Sequence, residues 1–254
     1  MPRGHGVSRR AVAELAAAAV AAAMAVAIPL GAAVTGPAMK AIPPASLEAL
    51  HRSLQEVAGL VPAPGKPYVL DPEGPKLDID PHAPWDPDVK TWTRPARATA
   101  ESYYDVPEGA RGTSAEQRDL LGPIEVTVEL NGDPRLPGLA SEGAPPAILR
   151  LKGALAVEIS TVVPGPAQGR VASMTPRQSA YRLAALTIFI GDPTTEAGIV
   201  TAVRKGSPPR GGLGQTSNPA ALRLICIRLH GPKKPIEELA RGIPTASLRR
   251  LLRG

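Results

Sequence analysis

One cysteine, Cys226, is too few for an internal disulfide framework in this chain. Set in Leu224-Ile225-Cys226-Ile227, it reads as a buried apolar residue rather than a nucleophile. Aromatic residues make up only 3% of the chain, so a core must come from Val, Ile, Leu and Ala. Asparagine occurs only at Asn131 and Asn218, and neither heads an Asn-x-Ser/Thr acceptor site. The four histidines, His5, His51, His82 and His230, stand apart without zinc-ligand spacing. There is no Gly-x-Ser-x-Gly elbow. Gly211-Gly212-Leu213-Gly214-Gln215-Thr216-Ser217 lacks the lysine of a P-loop and reads as a mobile loop. Only a carboxylate pair assembled by the fold stays open as catalytic machinery. We therefore expect no enzyme, no cofactor, no resident metal and no small-molecule substrate.

Proline, by contrast, is plentiful at 30 residues, beside 25 glycines. Few Asn, one Cys and many Pro suit a chain that must survive heat, and a GC-rich genome would give the same bias. The net charge of +6 is unevenly placed. Residues 204–254 hold eleven Lys or Arg against Glu237 and Glu238, whereas residues 71–88 hold six acids against Lys76. Without interleaved aromatics the basic end does not point to nucleic acid. It suits an anionic surface, an acidic neighbouring subunit or plain solvent.

Long apolar runs are also lacking, with one exception at residues 11–30. Twenty helical residues rise about 30 Å, the thickness of a bilayer's hydrocarbon core. Arg3, Arg9 and Arg10 precede the run without an acid, so the start should stay cytoplasmic and the rest should cross. Glu14 is the only charge within it. Three readings fit. One is a secretory signal or simple anchor, with small residues at Gly31-Ala32-Ala33 for cleavage. Another is a twin-arginine signal at Ser8-Arg9-Arg10. The third is a retained assembly helix, because alanine favours close helix–helix contact over solitary life in lipid.

Arg9-Arg10-Ala11-Val12-Ala13-Glu14-Leu15 followed by an apolar helix resembles the leader of archaeal type IV pilins. The resemblance covers some twenty residues. It implies a cut between leader and helix at Arg10 and Ala11, and a mature start near Val12. It also implies a carboxylate, Glu14, beside the new α-amino group of a neighbouring subunit. The helix would then be kept in the core of a cell-surface filament.

Beyond this run, residues 31–44 read as a small-residue linker and residues 45–60 as an amphipathic helix. Ser46 suits its N-cap, and Leu47, Leu50, Leu54 and Val57 share one face. Docking on the domain is the favoured role of this helix, with a filament stalk as the other. Nine prolines across residues 61–99 hold an extended arm. This belt should be pinned by Trp85 and Trp92, or donated to a neighbour's sheet edge. Asp78, Asp80, His82, Asp86 and Asp88 offer oxygens for a hard cation, though without EF-hand spacing.

A helical turn is expected at 114–121. Strands are expected at 124–130, 147–163 with a break at Gly153, 181–190, 199–203 and 221–230. Asn131-Gly132-Asp133 reads as a turn. Two short helices split by Pro244 should close the chain, with their arginines in water.

The expected fold is mainly β: an antiparallel β-sandwich behind an N-terminal hydrophobic α-helix, with short accessory helices. Its parts run 1–30 (leader and helix), 31–44 (linker), 45–121 (helix and arm), 122–232 (sandwich) and 233–254 (basic tail). The expected function is an extracellular filament subunit whose partners are further copies of itself and, before assembly, the membrane. The alternative is an exported or single-pass β-sandwich serving as an accessory module of a membrane complex.

Overall fold

The structure, a computed structural model, describes residues 37–110, 122–132, 147–164, 180–191, 193–205 and 213–252. The leader and hydrophobic run, with Arg10, Ala11, Val12 and Glu14, lie outside the described residues, as does the turn expected at 114–121.

The described chain is mainly β and antiparallel, with short helices. In order come β1 (Ala38–Ala41), α1 (Pro44–Leu60), β2 (Val69–Leu70), β3 (Lys76–Ile79), β4 (His82–Asp86) and β5 (Thr91–Trp92). Then follow β6 (Ala98–Asp105), β7 (Ile124–Leu130), β8 (Ala147–Leu151), β9 (Ala154–Pro164) and β10 (Ala180–Gly191). The chain closes with α2 (Pro193–Lys205), β11 (Leu224–Pro232), α3 (Lys233–Gly242) and α4 (Thr245–Leu251). Eight strands form one sheet in the order β2-β6-β7-β11-β10-β9-β8, with β3 pairing β6 beside β2. A second sheet has the order β1-β4-β5.

Strand alternation gives the large sheet two apolar faces. One presents Val126, Val128, Leu130, Ile188, Ile225 and Ile227 to α1, α3 and α4. Leu50, Leu54 and Val57 of α1, Ile236 and Leu239 of α3, and Leu248 of α4 fill that core. Ala83 and Trp92 of the small sheet join it. The opposite face buries Leu155, Val157, Phe189, Leu224 and Cys226 against Ile199 and Val203 of α2. Full burial of each such side chain contributes roughly 1.5–3 kcal/mol. The helices α1, α3 and α4, with Ala83 and Trp92 of the small sheet, pack against the face for which the sequence predicts a second sheet. Alternation marks a face that is covered, not what covers it.

Several local expectations change. The stretch at 199–203 is helical, inside α2, not a strand. Ile, Val and Thr there mimic a strand. However, Pro193 opens a helix, Glu196 lies in its first turn, and Arg204 and Lys205 lie in its last. Ile199, Ala202 and Val203 then fall buried at helical spacing. Ser46 does not cap α1, because Pro43 occupies the N-cap without a side-chain bond and Pro44 starts the helix. Within the stretch read as linker, Ala38–Ala41 pairs in register with the arm from Trp85 back to His82. Gly153, at φ 82°, forms the β8–β9 turn at the expected break. From Leu213 onward the glycine-rich stretch is strapped down rather than free. Thr216 exchanges backbone hydrogen bonds of 2.9 and 3.0 Å with Trp92 and accepts one from Thr91 Oγ1.

Asn131 goes further than a turn residue. It ends β7 at φ 52° and is buried. Its Nδ2 donates to the carbonyls of Ala96 and Ala221, both at 2.9 Å. Its Oδ1 accepts from the N–H of Arg223 at 2.9 Å and of Leu224 at 3.4 Å. One amide thus ties the start of β6, the end of β7 and the lead into β11.

Candidate functional site

The β8–β9 hairpin, α2 and α4 enclose a cleft of about 590 Å³. Each wall follows from local sequence. The hairpin turns at Lys152-Gly153, and Thr245 Oγ1 at the start of α4 donates to the Lys152 carbonyl. Arg249, one turn further, donates from Nε to the Gly153 carbonyl at 3.1 Å and pairs through its other end with Glu196 of α2. The Glu196 carboxylate also accepts from the Gly191 N–H at 3.4 Å. Leu151, Leu155 and Val200 line the apolar part, and Arg150 projects from the outermost strand. Among the described residues Arg150 has no ion-pair partner.

The cleft's described lining offers two guanidinium groups, the Thr201 hydroxyl and one carboxylate already engaged by Arg249. It suits an extended or apolar segment carrying an acid. Nothing local in the sequence marks it, because Arg150, Glu196 and Arg249 come from three distant segments.

The acidic arm does not gather into a site. Asp80 Oδ1 accepts the His82 N–H at 2.9 Å. Asp86 Oδ1 accepts the N–H groups of Asp88 and Val89 at 3.0 and 3.2 Å. These carboxylates fix turns between prolines, as short acidic side chains commonly do. Among the described residues no three His, Cys, Asp or Glu side chains converge as a metal site. The two tryptophans do pin the arm. Trp85 and Trp92 stand edge to face with centroids 5.0 Å apart, and Lys40 of β1 lies 3.6 Å over the Trp85 ring.

Two charged groups on the large sheet are compensated where they are covered. Glu129 is buried and pairs with Arg228 at 3.1 Å, with Arg97 3.8 Å away. Glu158 is buried and pairs with Lys233 at 2.5 Å. The hydrogen bond to Glu158 holds the Lys233 ammonium above its ordinary 10.5. Burial likewise raises the Tyr104 hydroxyl above 10.0. Both groups keep their protons in the folded chain at a pH where the unfolded chain has lost them. Their contributions are complete below the unfolded values and are lost as pH rises through the folded ones. Urea midpoints should therefore be unaffected by these two groups from pH 7 to about 9.5 and should fall above about pH 10. Lys233→Met and Tyr104→Phe should each flatten part of that alkaline fall. An alkaline fall in both variants identical to that of the unchanged chain would refute the assignment.

Among the described residues no helix is long and apolar enough to cross a membrane. No known protein family, curated protein or solved structure matches this chain.

Proposed function

We propose that the chain is an extracellular structural protein: a subunit of a cell-surface filament, joined to its neighbours through residues 12–30. The observation that carries this reading is the run Arg9-Arg10-Ala11-Val12-Ala13-Glu14-Leu15 ahead of an alanine-rich apolar stretch. Cleavage between Arg10 and Ala11, or one residue later, leaves Val12 near the new terminus. Glu14 then neutralises the α-amino group of a neighbour, and small side chains let many helices pack closely. The membrane holds the subunit before assembly. β1 opens the described fold a few residues after the apolar stretch. N-terminal sequencing of the mature protein tests this. A start near Val12 is expected. A start after Ala32 or Ala33 would mark an ordinary export signal and end the pilin-like reading.

The second reading, an exported or single-pass accessory module of a membrane complex, draws on the cleft between Arg150 and Arg249. Native material separates the two. Long fibres made mainly of this chain support the first reading, and a fixed stoichiometry with unrelated subunits supports the second.

A further inference from the structure

The two lateral edges of the large sheet match each other. The sheet spans seven strand positions, from β3 (beside β2) to β8, and every neighbouring pair is antiparallel. An odd number of positions makes the first and last strands run the same way. They lie about 29 Å apart at the usual strand spacing. Among the described residues neither β3 nor β8 has a strand on its outer side.

The rows that cross the sheet add detail. The row starting at Asp78 on β3 passes through Glu129, Cys226 and Leu155 and ends at Arg150 on β8. Opposite charges thus close the two ends of one row, on one face. Both side chains are exposed, and neither has an ion-pair partner among the described residues. The adjacent row starts at Leu77 and ends at Leu149, on the other face. These two leucines are 41% and 39% exposed.

We propose that the β8 edge of one copy takes the β3 edge of a second copy, continuing the sheet in parallel register. Arg150 then lies beside Asp78 of the next copy, and Leu149 beside its Leu77. The occupant is a second copy because charge, apolar pattern and chain direction all agree. Like edges do not fit: β8 against β8 sets Arg150 near Arg150, and β3 against β3 sets Asp78 near Asp78. Joining two different edges is heterologous, so each bound copy leaves a free edge and the contact propagates unless a ring closes. Strands of four and five residues give a weak contact by themselves. It goes beyond the helix-driven reading above, needs neither leader nor helix, and stands or falls separately from them.

Cross-linking of the full chain in detergent tests this. The native cysteine is buried, so an introduced thiol reports alone. Lys76 and Ile148 end the row on the far side of the leucine row, on the same face as Asp78 and Arg150. One preparation carries Lys76→Cys and the other Ile148→Cys, which leaves the charge pair intact. Adjacent strands bring such residues within disulfide range. Under mild oxidation the mixture should give a disulfide dimer that neither preparation gives alone. Its yield should exceed that of a mixture in which exposed Ala246→Cys replaces one partner. Adding Arg150→Glu to the Ile148→Cys chain should cut the yield about threefold to tenfold at low salt. Adding Asp78→Lys to the Lys76→Cys chain should then restore it. A mixed yield no higher than the Ala246→Cys control, equal self-linking within one preparation, or indifference to the charge reversal would each overturn the proposal.

Discussion

Asn131→Ala should lower the unfolding free energy by about 3–5 kcal/mol, seen as a fall in urea midpoint with an unchanged slope. The residue is buried, and its side chain satisfies two carbonyls and a strong N–H from two other segments. Truncation orphans the buried Ala96 carbonyl, at about 1–3 kcal/mol, and the part-buried Ala221 carbonyl and Arg223 N–H, each at the lower end of that range because water reaches them in part. Its φ of 52° adds a smaller term, because alanine tolerates the left-handed region less well than asparagine. Asn131→Gly keeps that backbone geometry and should be less damaging than Asn131→Ala by about 1 kcal/mol. Asn131→Asp should be as harmful at neutral pH as Asn131→Ala, since a carboxylate would face two carbonyl oxygens. It should recover in part at acid pH, where one oxygen regains a proton to donate. A loss below about 1 kcal/mol for Asn131→Ala would show that the amide is not the tie described here.

Leu54→Ala should cost about 3–5 kcal/mol by the same measurement. Leu54 is fully buried between Leu50 and Val57 on the inner face of α1, against the large sheet. Removing its branched end leaves a cavity that neighbouring strands cannot fill, so the loss exceeds simple transfer. Glu56→Ala, on the exposed face of the same helix, should change stability by less than about 0.5 kcal/mol. The contrast bears on function. A helix serving as a free stalk would leave domain stability untouched at both positions. A docked helix responds only at Leu54.

Legibility in the sequence followed how local each signal was. β7, β10 and β11 were readable because their alternating or continuous apolar pattern is complete within a few residues. The docked face of α1 was readable for the same reason. At 199–203 a short β-branched run outweighed the helical spacing, and only the proline and charge placement around it told otherwise. β1 and β3 were unreadable, since each exists through a partner strand elsewhere in the chain. The cleft was hidden more deeply. Arg150, Glu196 and Arg249 meet only once a hairpin, a crossover helix and the final helix are in place. Asn131 carried a true turn signal that said nothing of its burial.

The chain's only two tryptophans occupy one spot, where the first strand meets the proline-rich arm. Intrinsic emission is therefore a local lamp rather than a readout of the whole fold. Its wavelength reports the seating of Lys40 and its strand, while far-ultraviolet dichroism follows the eight-stranded sheet. If the emission shifts at lower denaturant than the dichroism, the small sheet has let go before the large one.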